Sequence, residues 1–452
     1  MLRSGLPDFL LPLTLLVLLA GCGQVQPGQP VDVPDSAPAQ TAVTFPLHVE
    51  SGKRYLVDAA GKPFLLNGDA PWTLIAQLTS EEAEQYLEDR RRKGINAVLV
   101  NLLEHHYADH PPRNVYGEAP FTTPGDLATP NEAYFTHADH VIRKAAEKGM
   151  LVLLAPAYVG YNGGDQGWYR ELVANGASKV YAFGRYVGNR YKGFNNILWV
   201  QGGDYDVPDK DIVRAMANGI ASVDHKPQTY HGSRGTAAMA FWGTGEPWLT
   251  VNDIYTDENT VVGAAFGEYA RSAAPFFLIE ARYEGTNHAN EQTVRMQAYQ
   301  AILSGASGQT MGNNPLWEFR SGWREKLSSG GSRSLWIFSR FFNQLSWWKL
   351  QPDLSNTTLT DGIGSGADRA VAARASDGSF AVAYLPGIRN IAIDMSRLAG
   401  PKVNVQWVDP RSGARSAASG SPFPASGMTN LRPDGKNASG YGDWLLLLES
   451  TP

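Results

Sequence analysis

The chain has 452 residues, of which 43% are hydrophobic, 11% aromatic and 18% charged, with a formal charge of −5 and a single cysteine. One cysteine excludes an intrachain disulfide and a thiolate metal cluster, and charge spread without long runs excludes the basic footprint of a nucleic-acid binder. The length allows two domains and a large buried core.

At the N-terminus, Arg3 and Asp8 precede the apolar run from Phe9 to Ala20, which is too short to span a bilayer and has the length of a signal-peptide core. Leu19-Ala20-Gly21-Cys22 comes next and resembles the bacterial lipobox, in which the chain is cut before the cysteine and the thiol is acylated. The sequence therefore predicts a lipoprotein signal peptide over 1–21 and a lipid anchor on Cys22 in the cell envelope. An ordinary secretory signal is the plainer alternative. Residues 22–44, rich in Gln, Pro, Ala and Val without periodicity, read as a flexible tether.

Alternation from His48 to Val57, a turn at 58–62 and the run from Pro63 predict a short hairpin leading into the main domain. Eight apolar runs then recur: 64–67, 97–103, 151–156, 197–201, 229–232, 248–252, 276–280 and 308–312. Amphipathic helices are predicted between and after them, over 80–93, 131–148, 177–191, 209–223, 260–272, 290–303 and 334–347. Thr79-Ser-Glu-Glu82 offers a capping box, and Lys93-Gly94 and Lys148-Gly149 offer glycine stops. Strands alternating with helices imply right-handed crossovers and a parallel sheet, and eight such units over 45–350 predict a (β/α)8 TIM barrel. A dinucleotide-binding open sheet is disfavoured because no Gly-rich loop comes after the first strand. After Leu350 the helices cease and short alternating strands predict a C-terminal antiparallel β-sandwich over 351–452.

In such a barrel the residues at the C-terminal ends of the strands share one mouth. Reading those ends in order gives Asp69 and Trp72, then Asn101, Glu104 and His105, then Tyr158 and Tyr161, then Asp204 and His231. Asn252 and Tyr255 come next, then Glu280, Tyr283 and Glu284, then Asn313 and Trp317. Apolar strands that end in carboxylates, amides and aromatic rings suit a carbohydrate ligand, and Trp168, Trp242 and Trp317 are candidate platforms for sugar faces. Asp206 and Asp69 read equally as ligand contacts or loop braces.

Cleaving a glycosidic bond needs one protonated carboxyl group at the leaving oxygen and a second, ionised one on the other side. Asp204 and Glu280 emerge from strands otherwise too apolar to hold charge, and burial there is expected to raise a carboxyl pKa. Glu284, four residues on, is the rival to Glu280. His105, His106 and His110 invite a metal reading, but the segment runs into Pro111-Pro112 and is a loop, so no metal site and no cofactor are predicted.

Trp199-Val-Gln-Gly-Gly-Asp204, Ile279-Glu-Ala-Arg-Tyr-Glu-Gly285 and Asn67-Gly-Asp-Ala-Pro-Trp72 together resemble the apiosidase-like glycoside hydrolases, glycoside hydrolase family 140 and its relatives. The similarity runs over about residues 43–350, and the C-terminal segment beyond it resembles that family's collagen-binding-type module. The resemblance implies a retaining mechanism with Asp204 as acid/base and a seventh-strand glutamate, Glu280 or Glu284, as nucleophile, and Glu280 stands directly at the strand end. A related clan places a glutamate after asparagine where this chain has Gly203-Asp204, which leaves an inverting reaction open. The reading is thus a lipid-anchored, monomeric glycosidase acting on plant, algal or microbial glycans. A carbohydrate-binding surface lipoprotein without turnover is the alternative from another class.

Overall fold

The computed structural model describes residues 43–451. The signal peptide, Cys22 and most of the expected tether lie outside the described residues. Thr44, at the end of the expected tether, donates its N–H to Asp58 Oδ2 at 3.1 Å.

Eight parallel strands form the main domain: Leu66–Asp69, Ala97–Asn101, Leu151–Ala155, Ile197–Gly202, Gln228–His231, Asn252–Tyr255, Phe276–Glu280 and Gly308–Met311. Their ladder runs five-four-three-two-one-eight-seven-six, so the first strand pairs with the eighth. The seam between five and six is closed by Thr250 and Val251 N–H donating to Gln228 C=O and by Thr229 Oγ1 donating to Asp253 Oδ2 at 2.9 Å. Inward side chains from alternate positions, among them Leu99, Leu153, Leu198, Val200, Phe277 and Ile279, fill the interior. The hairpin strands His48–Val49, Leu56–Val57 and Pro63–Phe64 form a small antiparallel sheet whose Leu56 and Phe64 join that same cluster.

Local signals place most helices as expected. Thr79 and Glu82 make the reciprocal capping box of Ser80–Arg92. Two helices differ. The helix expected from residue 177 is the second half of Tyr169–Tyr191, which kinks at Gly176 where φ is +74°. The helix expected over 334–347 is Gly330–Asn343, because the Ser329 side chain accepts the Ser332 N–H and starts it earlier. The sixth strand also differs. The apolar run 248–252 only leads into it, and Asn252 opens the strand instead of ending it.

The C-terminal domain is a sandwich of a seven-stranded antiparallel sheet and a three-stranded one, Leu359–Asp361, Ile391–Asp394 and Met428–Leu431. Ala381, Ala383, Leu446 and Leu448 point between the two sheets. Val382, Tyr384, Leu445 and Leu447 point the other way, onto the barrel helices Glu291–Leu303 and Gly330–Asn343. Both faces of these strands are therefore buried, which explains their unbroken apolar runs.

Helix Glu291–Leu303 lies between the two domains and is buried on every side from Val294 onward. Its polar side chains are satisfied by the sandwich. Arg295 meets Asp443 with two bonds of 2.6 and 2.8 Å, both side chains fully inaccessible, and Gln300 donates to the carbonyls of Ala367 and Arg369. Asp443 also accepts from Tyr384 Oη and Asn437 Nδ2.

Asp443→Ala should therefore destabilise the protein by about 3–5 kcal/mol in urea unfolding, since Arg295 stays buried without its counter-charge. The double change Arg295→Met with Asp443→Leu should cost much less. Equal losses for both would show that the ion pair is not what holds this joint.

Candidate active site

The ends of the barrel strands enclose a cavity of about 240 Å³ lined by Trp72, Asn101, Tyr107, Tyr158, Asp204, Arg234, Glu280, Tyr283 and Trp317, among others. Asp204 enters it from the fourth strand through an unusual main-chain turn. Gly202 and Gly203 have φ of +79° and +130°, and Asp204 itself has φ of +51°. A Cβ on Gly203 would stand 2.1 Å from the Tyr158 ring, so the glycine pair makes room for protein aromatics and not for a ligand. Tyr158 Oη then donates to Asp204 Oδ2 at 2.7 Å, while Oδ1 is buried and has no hydrogen-bond partner among the described residues.

Glu280 is the last residue of the seventh strand, with its side chain 12% exposed and Oε2 2.9 Å from His231 Nε2. An oxygen of Asp204, a ring nitrogen of His231 and an oxygen of Glu280 all lie within 4.8 Å of one another. His231 Nε2 is committed to Glu280 as a hydrogen bond, so the three read as two facing carboxyls and a partner, not as ligands converging on a cation. Burial and then the Asp204 charge push the Glu280 pKa up, against the His231 bond and charge and Arg234. Burial works to lower the His231 pKa, but its bond to Glu280 and the charges of Glu280, Asp204 and Asp253 together hold it at about 9. Asp253, itself buried, is pushed up to about 7. The two directions fit one picture: an imidazolium faces a carboxylate that burial alone would neutralise.

Residues 50–349 match the family described as "Apiosidase-like, catalytic domain". The chain belongs to this family. Residues 352–449 match "Putative collagen-binding domain of a collagenase". Among solved structures, one described as a glycoside hydrolase superposes with a TM-score of 0.79 at 23% identity, covering 90% of this chain and 99% of that one. A glycoside hydrolase family 5 protein from Bacteroides vulgatus ATCC 8482 gives 0.78 at 22% identity, over 89% and 93%. The exo-beta-1,4-mannosidase Op5Man5 from Opitutaceae bacterium strain TAV5 gives 0.51 at 15% identity, over 66% and 62%. No curated protein matches the chain. The apiosidase-like chain is thus a glycoside hydrolase on a TIM barrel with a C-terminal antiparallel sheet domain.

Of the residues the sequence nominated, Trp72, Asn101, Tyr158, Asp204, Glu280, Tyr283 and Trp317 line the cavity of the apiosidase-like enzyme. Trp72 Nε1 donates to Tyr283 Oη at 2.7 Å, which joins the first and seventh strand ends. The others lie elsewhere. Asp69 turns outward to the helix layer, fully buried against Arg90 and Tyr86 Oη. Glu104 Oε1 accepts the N–H groups of His105, His106 and Tyr107, so it braces the loop that carries Tyr107 into the cavity. His105 pairs with Glu171 at 3.0 Å and packs on Trp168.

Asn252, at the start of its strand, accepts from Met239 N–H and donates to Glu268, far from the mouth. Tyr255 sits behind His231, with ring centroids 5.0 Å apart, and His231 lies beneath Glu280 at 0% exposure. Glu284 accepts from Asn313 Nδ2, Ser329 Oγ and the Gly331 N–H, at the N-terminus of helix Gly330–Asn343. It is engaged there and does not line the cavity. Trp168 and Trp242 are core residues, and of the three only Trp317 lines the cavity. Asp206 braces its loop through Ser233 N–H and Thr236 Oγ1. Among the described residues, His105, His106 and His110 form no cluster of metal-binding geometry.

Sequence reasoning missed Tyr107 and Arg234, together with Arg282, Thr286 and Asn287 of the loop after strand seven. Arg234 donates to Tyr255 Oη at 3.2 Å. The available signals were weak: a cation in the loop Gly232-Ser-Arg-Gly235, and an aromatic three residues after a glutamate.

The His231 shift carries a sign. A histidine whose folded pKa of about 9 exceeds the ordinary value of about 6.5 adds stability that is fully present below pH 6.5 and lost as pH rises through 9. Urea midpoints measured from pH 6 to pH 10 should fall across that window in the wild type and fall less in His231→Gln. Parallel profiles for the two proteins would refute the charged pair.

Proposed function

We propose that this glycoside hydrolase is a retaining, exo-acting enzyme in which Glu280 is the nucleophile and Asp204 the acid/base. The observation that carries the reading is the approach of the two side chains to within 4.8 Å. Retaining pairs stand about 5–5.5 Å apart, whereas an inverting pair needs about 6.5–9.5 Å to admit water between carboxylate and sugar. In the first step Glu280 attacks the anomeric carbon as Asp204 passes its proton to the departing glycosidic oxygen. In the second, Asp204 takes a proton from water, which displaces Glu280 and releases the sugar. The place of Asp204 in the cavity wall, with its side chain held by Tyr158 Oη, supports this role.

Exo action is inferred from size. A cavity of about 240 Å³ is smaller than the roughly 300–1,000 Å³ of sites for larger ligands, and holds a single terminal sugar ring. Trp317 and Tyr107 at its wall offer apolar faces to that ring, and Asn101 a hydrogen-bonding edge. Plant, algal or microbial glycans are the substrates proposed. The lipobox-like Leu19-Ala20-Gly21-Cys22 supports attachment to the cell envelope.

Asp204→Asn and Glu280→Gln should each lower kcat on a panel of pectic and other oligosaccharides by on the order of 1,000-fold. Glu284→Gln should lower stability more than turnover. Proton NMR of the first-formed sugar should show the anomer of the substrate; the opposite anomer would end the retaining proposal, and full activity in Glu280→Gln would end the assignment of the pair. Separately, Cys22→Ala should shift the protein from the detergent-extracted membrane fraction to the soluble one, and an unchanged distribution would argue against the anchor.

A further inference from the structure

The sequence offers His231 as a sugar contact, yet the structure buries it completely and keeps it out of the cavity lining. Its ring lies between Trp72 and Tyr255, with centroids 5.7 and 5.0 Å away. From that place it reaches both facing acids by different atoms. Nε2 is 2.9 Å from Glu280 Oε2, and Nδ1 is 3.2 Å from the main-chain nitrogen of Asp204 and 3.1 Å from the Gly232 carbonyl.

A bare Nδ1 accepts the Asp204 N–H, and a protonated Nδ1 donates to Gly232 C=O. In both forms Nε2–H stays on Glu280. The contact at Asp204 matters because that residue has φ of +51°, a conformation that costs a non-glycine residue energy and must be held by its surroundings. Tyr158 grips its side chain, and His231 meets its backbone. The charged and titratable groups facing the ring are Glu280, Asp204 and Arg234 from the mouth, Asp253 from the sixth strand, and the Tyr255 phenol.

We propose that His231 is a positioning residue shared by both acids, aiming the Glu280 carboxylate through Nε2–H and, when Nδ1 is bare, anchoring the strained main chain of Asp204 by accepting its N–H. This inference rests on the assignment of Glu280 as nucleophile and Asp204 as acid/base. On this view the imidazole ring sets the spacing between the two carboxyls without touching the sugar. When the ring is charged, Nδ1–H donates to the Gly232 carbonyl instead of accepting the Asp204 N–H, and the positive charge favours the ionised Glu280 that attack requires.

The test compares His231→Phe, His231→Gln and Glu280→Gln with the full-length wild type, on a panel of 4-nitrophenyl glycosides and pectic oligosaccharides. His231→Phe should lose on the order of 100-fold in kcat with KM little changed. The acid limb of its kcat/KM profile should move up by about one unit or more, since Glu280 has lost its cationic neighbour. His231→Gln keeps a donor toward Glu280 and should recover most of the plateau rate but not the acid limb. A rise in KM at constant kcat, or an unmoved acid limb, would overturn the proposal in favour of a substrate contact or a packing role.

Because a buried histidine change can prevent folding, NMR titration of 15N-histidine-labelled wild type and Glu280→Gln gives a reading that needs neither variant nor activity at position 231. The His231 pKa should drop by about one unit or more in Glu280→Gln; an unchanged titration would refute the coupling. An active Glu280→Gln enzyme would instead remove the nucleophile assignment itself, while an inactive one beside a wild-type-like His231→Phe would remove only this inference.

Discussion

Two carboxyl groups within 4.8 Å of each other repel when both are charged, and burial opposes the ionisation of Glu280. Much of the architecture around the mouth serves to hold them there. The eight-stranded sheet brings the ends of strands four and seven to facing sides of one cavity, although they are about 80 residues apart in sequence. Tyr158 binds one acid and the buried His231 the other, and Trp72 to Tyr283 links the first strand end to the seventh. Arg234 adds a cation at the rim.

Behind this layer stands another that never meets the cavity. Glu104 gathers three successive N–H groups and thereby fixes the loop presenting Tyr107. Glu284 ties the loop after strand seven to the N-terminus of helix Gly330–Asn343, and that helix packs in turn on the sandwich. Helix Glu291–Leu303 is clamped to the same sandwich by Arg295 and Asp443. The C-terminal domain is therefore built into the wall that supports the seventh and eighth strand ends, with the apolar face of its larger sheet covering two barrel helices. A carboxylate engaged by a helix N-terminus and one that lines a cavity differ only in what surrounds them, and at positions 284 and 280 those surroundings are opposite.

The barrel was legible from local chemistry. Apolar runs, capping residues and the stops Lys93-Gly94 and Lys148-Gly149, where both glycines take positive φ, act over a few residues and need no knowledge of the fold. Strand six was displaced because hydrophobicity pointed to Trp248, Leu249 and Val251, whereas the strand itself is Asn-Asp-Ile-Tyr. Its polar residues find partners outside the strand: Asn252 donates to Glu268 on a helix and accepts the Met239 N–H, and Asp253 Oδ2 accepts from Thr229 on the neighbouring strand. That same displacement put Asn252 on the wrong end of its strand. Asp69 misled in a related way, since a strand end has two faces and only the packed structure says which one meets the helices.

What the sequence determined by itself was the order of strands and helices, the change of domain near residue 350, and the presence of acids at the ends of apolar strands. These depend on periodicity and on neighbours a few residues away. What the tertiary structure decided was which of those acids meet, which are spent on loops and helix termini, and which rings form the wall. Those outcomes depend on contacts between residues tens to hundreds of positions apart, such as His231 with Glu280 or Glu284 with Gly331, and such contacts exist only after the sheet has closed.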